Sequence, residues 1–196
     1  LVIDFDFRKE ASILKENEKP KRDFQLQHII DICDKMKEFL KDFLPTNANL
    51  TYFISQRNGP RVEKGKIKDG VHIQFPYLKI RYALQHYLRF SMMGTVDATL
   101  EPCGYSNNIE DIYDEAVIEK NNWLMYKSTK PGLEPYDIVY PDVSSFTLEE
   151  LVKIMSIHND IPETKIIPDK EDHLQNFLNT IFRDKGKQKN KKYNQF

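Results

Sequence analysis

The sequence predicts an α+β fold: a mixed or antiparallel sheet with flanking helices. Three observations carry that expectation. Segments alternating every two residues and segments with apolar residues three and four apart follow in the order β, α, β, β, α, β, β, α, α. That order lacks the strict alternation of a doubly wound parallel sheet. Hydrophobic residues make up 40% and charged residues 30% of the 196 positions, enough apolar material for a packed core. No run of about 18 apolar residues is present to span a membrane, and the acidic opening is unlike a secretory leader.

Each element has its own signal. VIDFDFR, residues 2–8, alternates as a strand. KENEKPKRD, residues 15–23, reads as a charged loop. Asp23 then caps a helix from Phe24 to Leu44, in which Leu26, Ile29, Ile30, Cys33, Met36, Leu40 and Phe43 recur at helical spacing before Pro45. LTYFISQR, residues 50–57, reads as a strand, NGPRVEKGKIKDG as a Gly/Lys-rich connection, and KIKDGVHIQF, residues 66–75, as a further strand. A helix is expected from about Tyr77 to Phe90. Irregular chain follows over 91–122, with one helical piece near Ile109–Glu119. WLMYKST (123–129) and YDIVY (136–140) read as strands around a Lys130-Pro131-Gly132 turn. Thr147 caps a helix, and a last helix spans about Lys170–Arg183. Tyr77, Tyr82 and Tyr87, at helical spacing, and Trp123 and Met125 read as packing residues. A core-type strand at residue 1 is expected of a fragment, with elements missing before Leu1 and more protein beyond Phe196.

Charge and cysteine usage narrow the classes. Cys33 and Cys103 form no CxxC or Cys/His cluster, which argues against structural zinc and for a reduced, intracellular setting. The net charge of −1 hides a segregation. Arg57–Arg89 holds eight basic and two acidic residues, and Arg183–Phe196 six and one. The first stretch would suit a phosphate-binding face. The second, ending in KGKQKNKKYNQF, reads as a solvated, disordered tail.

The chemistry starts at Asp4 and Asp6. Residues i and i+2 of a strand share a face, so these carboxylates stand roughly 6.5–7 Å apart along it. They repel unless a cation sits between them, and Mg²⁺ or Mn²⁺ would satisfy both with oxygen ligands. An exposed edge strand with solvated acids is the plainer alternative. In KIKDGVHIQFP, Lys68 and His72 lie four residues apart on one strand face beside Gly70, which would let a ligand approach. A buried histidine and a solvated lysine are the plainer readings. YDEAVIEKNNWLMYKSTKPG supplies Asp114, either a third metal ligand or a helix cap, and Lys130.

Together, VIDFDFR, KDGVHIQFPYLK and IYDEAVIEKNNWLMYKSTKPG resemble the three ordered motifs of the archaeo-eukaryotic primase superfamily. The likeness is greatest to primase modules fused to superfamily-three helicases in large DNA viruses of eukaryotes. The resemblance covers residues 2–140. It implies an RRM-like catalytic core over 1–145, followed by a helical appendage (146–184) and the basic tail (185–196). It implies Asp4, Asp6 and Asp114 as ligands of Mg²⁺ or Mn²⁺. Lys68, His72 and Lys130 would be contacts to a nucleoside triphosphate. The implied activity is primer synthesis on single-stranded DNA by two-metal nucleotidyl transfer, with template and primer against Arg57–Arg89. The implied partner is a fused or associated helicase, and the implied location the host cytoplasm, away from membrane. Two positions depart from the pattern. Gly70 stands where a serine usually precedes the histidine by two; the glycine fits the viral branch better than the cellular one, and its backbone N–H would substitute for the lost hydroxyl contact to phosphate. Lys127 stands where the viral branch often has glycine. Two other readings stand beside this one: a non-catalytic DNA-binding or helicase-positioning module, and a phosphatase of the haloacid dehalogenase type. The latter expects a threonine where Arg8 stands and a doubly wound sheet.

Overall fold

The structure, a computed structural model, describes residues 1–157 and 161–193, with side chains of the last helix described to Thr180. Five strands form one sheet: β1 (Val2–Glu10), β2 (Phe53–Gln56), β3 (Arg61–Glu63), β4 (Lys66–Gln74) and β5 (Asp137–Tyr140). Every pairing is antiparallel, in the order β1-β4-β2-β5, and β3 extends the β2 edge of β4. The helices are α1 (Leu26–Lys41), α2 (Tyr82–Leu100), α3 (Ile109–Ile112), α4 (Ala116–Glu119), α5 (Leu148–Met155) and α6 (Pro168–Tyr193). Among the described residues no helix is long and apolar enough to cross a membrane.

The two-residue period of β1 turns Ile3, Phe5 and Phe7 into the core. Val71 and Ile73 of β4 and Ile54 of β2 lie beside them. α1 covers this face with Ile29, Ile32, Cys33, Met36 and Leu40, and α2 with Leu84, Leu88, Met92 and Val96, all buried. Cys33 and Cys103 are buried free thiols. The other face of the sheet is left for polar side chains.

The α+β layering agrees with the sequence reading, and several boundaries do not. α1 starts from Gln25, whose side chain and that of His28 reciprocally cap each other's backbone; Asp23 pairs with Lys9 at 3.0 Å instead. The connection after β2 folds back as β3 and pairs with β4 through a turn at Lys64 and Gly65, both at positive φ. α2 runs on to Leu100, past the expected end at Phe90. Gly94, Thr95 and Thr99 are weak helix formers, but burial of Met92, Val96 and Leu100 outweighs them. Residues 123–129 form no strand; that segment is a loop over the open face. The α6 backbone is helical to Tyr193, beyond the expected Arg183, and residues 194–196 of the basic tail lie outside the described residues.

Two cations, half-buried Arg22 and buried Arg89, tie the layers together. Asp69, on the core face of β4, is 8% exposed and receives Arg22 in a forked contact at 2.7 and 2.9 Å. Arg22 also donates to the Arg57 carbonyl at 2.9 Å, so the 15–23 loop closes against the sheet. Arg89 of α2 is 8% exposed and donates to the carbonyls of Tyr113 (2.7 Å) and Glu110 (3.0 Å). It therefore pins the segment around α3 and cannot serve the phosphate face expected of Arg57–Arg89.

Arg22→Met leaves Asp69 buried without its counter-charge and should cost about 3 kcal/mol in urea unfolding. The same substitution at Lys41, whose pair with Glu38 is exposed on both sides, should cost less than about 1 kcal/mol. Equal losses would show that burial does not set the strength of the Arg22 pair.

Candidate active site

The register of β1 against β4 assembles the open face. Asp4 stands opposite His72, Asp6 opposite Gly70, and Arg8 opposite Lys68. On the other side of β4, Ser55 of β2 stands opposite His72. Outside β1, Phe5 bridges to Tyr113, and the Asp114 amide donates to the Asp4 carbonyl at 3.1 Å. One row across the sheet thus reads Asp114, Asp4, His72, Ser55. A cleft of about 1030 Å³ opens above it. Asp4, Asp6, Lys68, His72, Asp114 and Lys130 all line this cleft, with Arg57, Arg61, Trp123 and Tyr136. All six residues singled out from sequence are brought together.

The acids crowd one another. Burial first, then the charges of Asp6 and Asp114, push the Asp4 carboxyl up to about 7, while Lys130 and Arg57 pull the other way. Asp6 accepts from Arg8 at 2.6 and 3.2 Å. Asp114 accepts from the Ala116 amide at 2.8 Å, so it both caps the start of α4 and lines the cleft. Three carboxylates that disfavour one another's charge are a hard oxygen donor set, and Mg²⁺ or Mn²⁺ relieves that repulsion. Even so, among the described residues no three His, Cys, Asp or Glu side chains form a ready cage for a cation. The Arg8 contact of Asp6 and the capping contact of Asp114 account for this: two of the three acids are engaged elsewhere.

His72 is held by aromatic rings. Tyr136 stacks on it at 3.7 Å and 12°, and Trp123 lies 4.4 Å away on the loop that the sequence reading made a strand. Its Nε2 is 3.7 Å from Asp4 Oδ1. Burial, then Arg57 and Lys130, push the imidazole down to about 3, so it is neutral at physiological pH. Arg57 lies 4.2 Å over the Tyr136 ring and donates to its hydroxyl at 3.2 Å. Lys68 pairs with Glu63 at 2.9 Å, and Glu63 also receives Arg61 at 2.9 Å. These two cations hold the Glu63 carboxyl down to about 2.

The basic stretch is only partly a cleft wall. Arg57, Arg61 and Lys68 line it, but Lys66 pairs with Glu10, Arg81 with Glu163 and Glu171, and Arg89 is internal. The chain there passes from hairpin to helix, so its cations point to different sides. Of the three tyrosines, Tyr87 packs against Phe43 and Phe177, whereas Tyr77 and Tyr82 are exposed. Lys127 adopts a left-handed φ of 62° and pairs with Asp137. That conformation favours glycine, the residue its place was expected to hold. Sequence reasoning missed Arg8, Tyr136 and the cleft position of Trp123. Arg8 was readable, since it shares the two-residue period of Asp4 and Asp6. The sequence reading placed both aromatic residues in strands, whereas Trp123 stands on a loop and Tyr136 just before β5.

Comparison with known proteins follows the same lines. The profile of one family, described as "C962R protein N-terminal AEP domain", matches residues 1–140, where AEP stands for archaeo-eukaryotic primase. The chain is also similar to "Putative helicase L207/L206" of Acanthamoeba polyphaga mimivirus, 25% identical over 186 residues that cover 92% of this chain. The chain spans 18% of that relative's length. With its antiparallel sheet, its three clustered carboxylates and a family match over most of its length, the chain belongs to the archaeo-eukaryotic primases, a family of nucleotidyl-transferring domains.

Proposed function

We propose that the chain is the catalytic module of a DNA primase or primase-polymerase, joining nucleotides on a single-stranded DNA template. The observation that carries this reading is the meeting of Asp4, Asp6 and Asp114 with His72, Lys68 and Lys130 in one cleft. Asp4, Asp6 and Asp114 would hold Mg²⁺ or Mn²⁺, which when bound lowers the charge barrier to attack of a 3′-hydroxyl on a triphosphate. The chain's own groups do the rest. Lys130 and Lys68 offset the charge of the triphosphate, Lys68 after exchanging Glu63 for it. His72, neutral and clamped between rings, donates an N–H to a phosphate oxygen without changing charge. Arg57 and Arg61 add positive potential along the same wall, where phosphates of the template would lie.

The mimivirus relative is far longer than this chain and is named a helicase, which supports a primase module working beside a helicase in one viral replication protein. The same relationship supports a location at a replication site in the host cytoplasm. A non-catalytic DNA-binding role gives no reason for three carboxylates to line the same cleft as Lys68, His72 and Lys130. The phosphatase reading needs a doubly wound parallel sheet, and this sheet is antiparallel throughout.

The decisive assay is template-dependent incorporation of labelled nucleotide. Asp4→Ala with Asp6→Ala should reduce it below about one part in a thousand while circular dichroism stays native; full activity would end the proposal. Lys130→Ala and His72→Ala should raise KM for nucleotide about tenfold or more; unchanged kinetics would remove them from the site. Asp4 also predicts a pH dependence. Its folded value of about 7 lies above the ordinary 3.8, so it stabilises the cation-free protein at low pH, and that contribution is lost as pH rises through about 7. In chelator, Tm should fall between about pH 4 and about pH 7 and level off above, Mn²⁺ should restore it at the upper end, and Asp4→Asn should flatten both effects. A Tm that rises over this range in chelator would contradict the assignment.

A further inference from the structure

We propose that the phenol of Tyr136 does here what a serine hydroxyl at position 70 would do, donating a hydrogen bond to the triphosphate of the bound nucleotide. The inference rests on the nucleotide-binding reading above and assigns that site one more contact. Position 70 faces the cleft from β4, two residues before His72, and carries glycine. A Cβ built on Gly70 would stand 3.0 Å from the Tyr136 hydroxyl and 3.1 Å from the Phe5 carbonyl oxygen. The space a serine would enter is therefore already taken by a hydroxyl, delivered from the residue before β5 rather than from β4.

The phenol is set up as a donor. Its ring is fixed by the parallel stack on His72, 3.7 Å between centroids. Arg57 Nη1 donates to the phenol oxygen at 3.2 Å, which occupies a lone pair with a cation and leaves the hydroxyl proton to be given elsewhere. Burial pushes the phenol up to about 12, so it stays protonated over the working range of pH. Arg57, Tyr136 and His72 thus form a stack in the cleft that Lys68 and Lys130 also line.

The test measures binding of ATP and dATP to the purified chain by calorimetry, with template-dependent incorporation as a second readout. Tyr136→Phe keeps the ring stack and removes the hydroxyl; it should weaken triphosphate affinity about tenfold or more. Gly70→Ser in the unmodified chain should also weaken binding, because serine and phenol compete for one space. In the Tyr136→Phe background, Gly70→Ser should restore most of the lost affinity, whereas Gly70→Ala should not. Unchanged affinity in Tyr136→Phe would overturn the inference. So would rescue by alanine as complete as by serine, or a serine double variant that is folded by circular dichroism yet unrescued. If the unmodified chain binds neither nucleotide, the nucleotide-binding reading falls, and this inference with it.

Discussion

Nine residues of β1 pair with nine of β4 in one uninterrupted antiparallel register, and that register decides which chemical groups share a face. Side chains alternate with a period of two, so a slip of one residue would put Asp4 and Asp6 among α1 and α2 and send Phe5 and Phe7 to solvent. Burial of Ile3, Phe5 and Phe7 makes such a slip prohibitive, at roughly 1.5–3 kcal/mol per large apolar side chain. The apolar half of the strand therefore positions the acidic half. The same pairing brings His72 across from Asp4 and Gly70 across from Asp6, so the two halves of the cleft are set by backbone hydrogen bonds before any side chain chooses a rotamer.

Gathering acids has an electrostatic cost, and local contacts meet part of it. Asp4 is pushed toward its neutral form, Asp6 takes the Arg8 guanidinium, and Asp114 takes a backbone amide. Each device is local and exchangeable, since a carboxyl can ionise, an arginine on the same strand can swing away, and a capping contact spares one carboxylate oxygen. The basic side is arranged likewise. Lys68 rests against Glu63, and Glu63 is also held by Arg61, so a competing polyanion meets a lysine already ordered by a neighbour. The cleft carries its charges in provisional pairs.

Much of the site was legible because strands advertise their faces. The alternation in VIDFDFR placed Asp4 and Asp6 together, and even spacing put Lys68 and His72 on one side of β4. Asp114 and Lys130 were harder, since neither lies in a regular element. Their place in the cleft depends on a chain that returns along β1 and on a loop that was read as a strand. The buried roles of Arg22 and Arg89 had no sequence signal, because a charged residue in a polar loop and another in a helix look like surface until the tertiary contacts exist. β3 was hidden by glycine and lysine, and the second half of α2 by weak helix formers; backbone pairing with β4 made the first, and packing overrode propensity in the second.

Arg89 leaves α2 to hold the two carbonyls that precede Asp114. The third acid thus hangs from a helix packed beneath the sheet, through a residue that never meets the cleft. Substitution at position 89 would disturb the cleft from behind, by loosening the strap that carries Asp114. A small molecule wedged into the interior of the helical layer would displace Asp114 without ever entering the cleft.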